Sequence, residues 1–291
     1  SNNVAIGYQA LSTEDAHGRN VAIGKSTLQA QDAGADAYNI AVGYNAGYSV
    51  TTGDTNVLIG GLAGDALTTG SHNVAVGHEA LTTEDAHGTN TAIGFRALKV
   101  QNAGANAYNV AVGYAAGIAV TTGTNNTLIG GLAGDSMTTG QHNVALGYNT
   151  LATEDDHGRN IAIGTNALAV QDAGADAYNI AIGHNAGLAV TTGINNVLIG
   201  GLAGDDITTG NYNVAIGYRA LQAEDAHGRN VAIGYNSLAT LNAGADAHNV
   251  VVGFKAGEAM TTGIQNTILG GLAGDALTTG QDNVALGYRA L

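Results

Sequence analysis

The chain has 291 residues, a formal charge of −14 and 45 glycines, with no proline, cysteine or tryptophan. Zero cysteine excludes disulfides and thiolate metal sites. The acidic balance argues against a nucleic-acid surface, which needs clustered Lys and Arg, and no apolar run approaches the ~20 residues of a bilayer span, so no membrane insertion is expected.

Glycine without a three-residue period, and without proline, excludes collagen. Abundant Ala, Val, Ile and Leu in regular patterning exclude a disordered chain. Starting at Ser1, the sequence reads as a piece of something longer.

In chain order, the first element is Asn3-Val4-Ala5-Ile6-Gly7. It returns as Asn20–Gly24, Asn39–Gly43, Asn56–Gly60 and Asn73–Gly77, and continues to Asn283–Gly287, giving 17 copies. Spacings run 17, 19, 17 and 17, and that 70-residue sum itself repeats. The organisation is a single β-solenoid domain over 1–291, with long repeats 3–72, 73–142, 143–212 and 213–282 and a partial repeat 283–291. A 17-residue unit is too short for a helical hairpin repeat.

Val4 and Ile6 alternate with Ala5, which predicts a strand. A second short strand is predicted over Tyr8-Gln9-Ala10-Leu11, then a turn rich in Thr, Asp, Gly and Asn such as Thr51-Thr52-Gly53-Asp54. Strand, turn, strand, turn makes one coil of an all-β, parallel β-solenoid of 17 coils, a rod of roughly 80 Å at standard strand spacing. Gly7, Gly24, Gly43 and Gly60 fit a bend where a Cβ would clash. Asn3, Asn20, Asn39 and Asn56 suit a turn or an amide ladder between coils. With Val4, Ile6 and Leu11 filling a thin core, the Ala5 face is left to pack against neighbouring chains, which predicts a homotrimer; the alternative is a wider single-chain β-helix whose Ala face closes on itself.

The Asn2-Asn3-Val4-Ala5-Ile6-Gly7 motif and its copies resemble the head repeats of YadA-type trimeric autotransporter adhesins. Asn90-Thr91-Ala92-Ile93-Gly94-Phe95-Arg96-Ala97-Leu98 is similar to repeats in phage tail-fibre proteins. The resemblance spans the whole chain. It implies a left-handed parallel β-roll in a trimer that serves attachment to a host or surface, in an extracellular, cell-surface or virion setting.

Several positions could carry chemistry. Glu14-Asp15-Ala16-His17-Gly18 recurs at Glu84–Gly88, Glu154–Gly158 and Glu224–Gly228; acid and imidazole in one turn could hold a metal, His17 included, but a solvated turn is the simpler expectation. Asp32 and Asp36, four apart, could contribute to a calcium site. Their counterparts Asn102 with Asn106, and Asn242 with Asp246, lose charge, so no cofactor is expected. The 19-residue coil that carries them should bulge outward. Tyr8, Tyr44, Tyr114, Tyr148 and Tyr218 could stack on the sugar rings of a cell-surface glycan or receptor, or pack against the neighbouring coil. Gly61, Gly131, Gly201 and Gly271 fall in the same column, where close approach of another backbone would explain them.

No nucleophile–base pair stands out, so an enzyme is not expected. The predicted function is a structural or adhesive fibre segment. The alternative is an extracellular filament subunit that stacks end to end through open sheet edges.

Overall fold

The computed structural model describes residues 2–14 and 17–291. Three-residue strands follow one another, one per coil, and no helix forms among the described residues. The chain divides into two compact units, 1–143 and 144–291. The first runs from β1 (Val4–Ile6) and β2 (Val21–Ile23) to β8 (Thr127–Ile129); the second runs from β9 (Val144–Leu146) and β10 (Ile161–Ile163) to β17 (Val284–Leu286).

Inside each unit, successive strands pair in parallel, each residue with its own equivalent. Val4 lies beside Val21, Ala5 beside Ala22 and Ile6 beside Ile23; Val144, Ala145 and Leu146 meet Ile161, Ala162 and Ile163 in the same way. Both units are therefore all-β parallel solenoids. The strand ends at a glycine whose φ no other residue adopts readily, +138° at Gly24. There the chain turns while the Gly24 amide still donates to the Ile6 carbonyl at 2.8 Å.

The second segment is not a strand. Gln9 and Leu11 lie in the left-handed region (φ 58° and 49°), as do Ser26 and Leu28 in the next coil. Left-handed residues at alternate positions curl the chain into the corner that a 17-residue coil needs. Inter-coil bonding survives this: Ser26 N–H donates to Tyr8 O at 2.8 Å and Leu11 N–H to Thr27 O at 3.1 Å.

The strand's faces are also the reverse of the expectation. Ala22, Ala41, Ala75 and Ala92 are fully buried inside the coil, whereas Val21 and Ile23 turn outward and are only half-buried. The interior is too narrow for β-branched side chains at every level, so alanine occupies the strand's inner position. Leu11 and its counterparts Leu28, Leu81 and Leu98 supply the bulk from the opposite corner.

Volume inside the coil is shared between levels. Every fourth coil puts a large residue at the inner strand position, Leu58, Leu128, Leu198 and Ile268, and all four are fully buried. Glycine then stands where Leu11 and Leu28 stood. A Cβ on Gly47 would lie 2.7 Å from Leu58 Cδ1 and 2.8 Å from Leu28 Cδ2, and one on Gly64 2.8 Å from Leu58 Cδ2. Leucines from the coils on either side fill the space over Gly47, so the levels interdigitate.

Each coil opens on an asparagine, buried in nearly every level. The Asn56 N–H donates to Asn39 Oδ1 at 2.8 Å and the Asn73 N–H to Asn56 Oδ1 at 2.9 Å, so the amides form a ladder. The Asn39 Nδ2 also crosses its own coil to the Gly53 carbonyl at 2.8 Å and reaches Gln31 Oε1 of the preceding coil at 2.7 Å. One side chain thus fixes coil spacing and closes the coil, satisfying polar groups that burial would otherwise penalise.

Candidate functional site

Three features line the surface of these units. The first is the outward strand face. Its first and third positions are Val, Ile, Leu or Thr in every strand, without a charge. Ile40, Ile59, Ile93, Leu146, Ile161 and Val250 are among its exposed members.

The second is the column that begins one residue beyond the strand glycine. Tyr8, Tyr44, Tyr114, Tyr148 and Tyr218 lie there and are 45–69% exposed. Neighbouring rings stack: His78 on Phe95 and Phe95 on Tyr114 at 5.8 and 5.4 Å, and Tyr218 on Tyr235 and Tyr235 on Phe254 at 5.6 and 5.5 Å. The rings therefore pack on neighbouring coils and also present area to solvent. Gly61 and Gly201 interrupt the column, and what approaches them is a ring rather than a backbone. A Cβ there would meet His78 Cδ2 at 3.3 Å and Tyr218 Cδ2 at 3.4 Å.

The third feature is the Glu–His turn. Asp15 and Ala16 of its first copy lie outside the described residues. In the other copies the turn is not simply solvated, because Glu84, Glu154 and Glu224 are fully buried. They occupy the inward position held by Gln31, Val50 and Leu67 in other coils. One carboxylate oxygen accepts the amide of the histidine three residues on, at 3.0 Å for Glu14–His17 and 3.2 Å for Glu84–His87. The His87 and His227 Nδ1 atoms are buried without a hydrogen-bond partner.

Asp36 accepts the Gly18 amide at 3.3 Å and pairs with Arg19 at 3.0 Å, while Arg19 also donates to Tyr38 Oη at 2.8 Å. The same pairing recurs as Arg159–Asp176 and Arg229–Asp246. Where Thr89 replaces the arginine, Asn106 replaces the aspartate and still accepts the Gly88 amide at 3.1 Å. The acid therefore serves an arginine and a backbone amide, which explains why its charge disappears when the arginine does. Residues 34–36 of this longer coil are exposed, and nothing lies within 4 Å of a Cβ placed on Gly34.

Burial pushes the Glu154 carboxyl up to about 7, with Asp172 and Asp155 adding to the rise against the pull of the His157 amide and Asn160. Asp205 is pushed up to about 6, by burial first and then by Asp206, against the pull of Gln222 and Arg219. Near neutral pH the folded state thus holds protons that the unfolded chain has released. Stability from these groups is present below an ordinary carboxylate pKa and is lost as pH rises through about 7. Thermal melts of chelated protein should therefore fall from pH 5 to pH 8, by about 1 kcal/mol per group after allowance for solvent screening. Glu154→Gln should flatten that slope; an unchanged slope would assign the effect elsewhere.

Compared with known proteins, the chain matches no family model and no curated protein.

Proposed function

We propose that this chain is a structural and adhesive segment of an extracellular fibre, on a cell surface or virion, built from three left-handed rolls that associate side by side. The observation that carries this reading is the uncharged aliphatic strand face. Nine strands at ~4.8 Å spacing, each three residues wide, give roughly 400 Å² in the second unit alone. A continuous aliphatic band without charge, partly open to solvent, suits a contact surface. The subunit interface is thus the Val/Ile face, since the alanine face is already buried within the coil. The stacked ring columns are the second surface, suited to the apolar faces of sugars on a host glycan or receptor.

Sedimentation equilibrium in chelator should give a trimer for the parent chain. Ile182→Glu with Ile216→Glu, on the outward face, should yield a folded monomer with unchanged far-UV circular dichroism. A parent chain that sediments as a folded monomer would remove the basis of the proposal.

A further inference from the structure

The recurring Glu–Asp–x–His turn holds an arrangement that the fibre reading leaves unused. In two copies, one ligand atom each from Glu84, Asp85 and His87, and from Glu224, Asp225 and His227, lie within 4.8 Å of one another. The glutamate is buried, the histidine half-buried and the aspartate exposed. A structural cap on the histidine amide needs only one carboxylate oxygen, and Glu224 Oε1 supplies it at 3.3 Å. That role leaves the remaining atoms unexplained. Glu224 Oε2 is buried with no hydrogen-bond partner of normal geometry, although the residue is fully buried. His227 Nδ1 is orphaned 3.9 Å from Glu224 Oε1; in the other copy His87 Nδ1 is orphaned too, but Glu84 Oε2 accepts the Asn90 Nδ2 at 3.5 Å.

Buried polar atoms are almost always paired, because an unpaired one carries its full desolvation cost. In the Glu224 turn the unpaired atoms are a carboxylate oxygen and an imidazole nitrogen of one converging cluster. We propose that the Glu224–His227 turn binds one first-row divalent transition-metal ion, with Glu224, Asp225 and His227 as its protein ligands. Two oxygens and one imidazole nitrogen suit zinc and its neighbours, whereas calcium and magnesium prefer oxygen alone. The exposed aspartate leaves the outer side of the ion open to water. In the third long repeat the converging atoms come from Glu154, Asp155 and Asp172. That set is all oxygen, so the inference does not extend to it.

The test uses the full chain stripped with chelator. Zn²⁺ is titrated calorimetrically at neutral pH, and Co²⁺ serves as a visible-absorption probe of imidazole ligation. The parent should bind with micromolar affinity, and the His227→Ala variant should lose one equivalent of Zn²⁺ along with the Co²⁺ signal. Glu224→Gln preserves shape and hydrogen bonding to the histidine amide, and should weaken binding at least about tenfold. His72→Ala, outside the turn, should change nothing. Stoichiometry that survives the His227→Ala variant, or binding seen only at millimolar Zn²⁺, overturns the proposal. Both variants are read in chelator by circular dichroism, so failure to fold is told apart from failure to bind.

Discussion

Replacing Asn109 by alanine is expected to destabilise the first unit by about 3–5 kcal/mol, in the range of a broken buried hydrogen-bond network. Asn109 is fully buried. Its Oδ1 accepts the Asn126 amide at 2.9 Å, and its Nδ2 donates to the Gly123 carbonyl at 2.7 Å and to Gln101 Oε1 at 2.9 Å. Alanine leaves all three of those groups buried and unpaired, at about 1–3 kcal/mol each, less whatever local relaxation recovers. Asn125→Ala, at the exposed residue just before Asn126, gives the comparison. It removes a left-handed asparagine (φ 59°) and should cost about 1 kcal/mol. Urea unfolding of the two variants separates the ladder from local conformational preference. Equal midpoints would mean that the ladder contributes little.

The second large effect is expected at the glycine that ends the strand. At Gly94, φ is +135°, a Cβ would run into the Gly113 carbonyl, and the Gly113 Cα would lie only 3.3 Å away. Since the obstacle is backbone of the adjacent coil, it cannot rotate aside, and Gly94→Ala must push two coils apart. More than about 4 kcal/mol is expected, with loss of a cooperative melt. Gly104 is the control. Its φ of +69° lies in the ordinary left-handed region and nothing is within 4 Å of a Cβ, so Gly104→Ala should cost about 1 kcal/mol. A mild Gly94→Ala variant would mean that the coils can slide to admit a methyl group.

Much of the architecture was legible because it repeats. The Asn-x-x-x-Gly spacing located every strand, and coil length excluded helical repeats. The strand's polarity was not legible, for a physical reason: Val4, Ala5 and Ile6 are all apolar, so a three-residue strand carries no polar position to mark its outside. Interior volume decides, and it favours alanine. The second segment looked like a strand because Tyr8-Gln9-Ala10-Leu11 gives no sign that Gln9 and Leu11 are left-handed. Glu84 looked like a turn residue because its neighbours are polar. A signal was present in the register between coils, where the same position holds Val50, Leu67, Met137 and Ile207, all fully buried. Asp36 looked like half of a cation pair until Arg19 was placed beside it.

The leucine that leans over the glycines of the adjacent level also limits how such a chain can change length. Removing the coil that carries Gly47 would bring Leu28 and Leu58 to adjacent levels, both competing for the space that the glycine had left open. Removing the coil that carries Leu58 would instead leave Gly47 facing an unfilled void. Either single-coil edit incurs strain or a cavity. Excising or duplicating four coils together restores every interior neighbour. Insertions and deletions in this lineage are therefore expected to come in steps of 70 residues, a length quantum set by side-chain volume inside the coil.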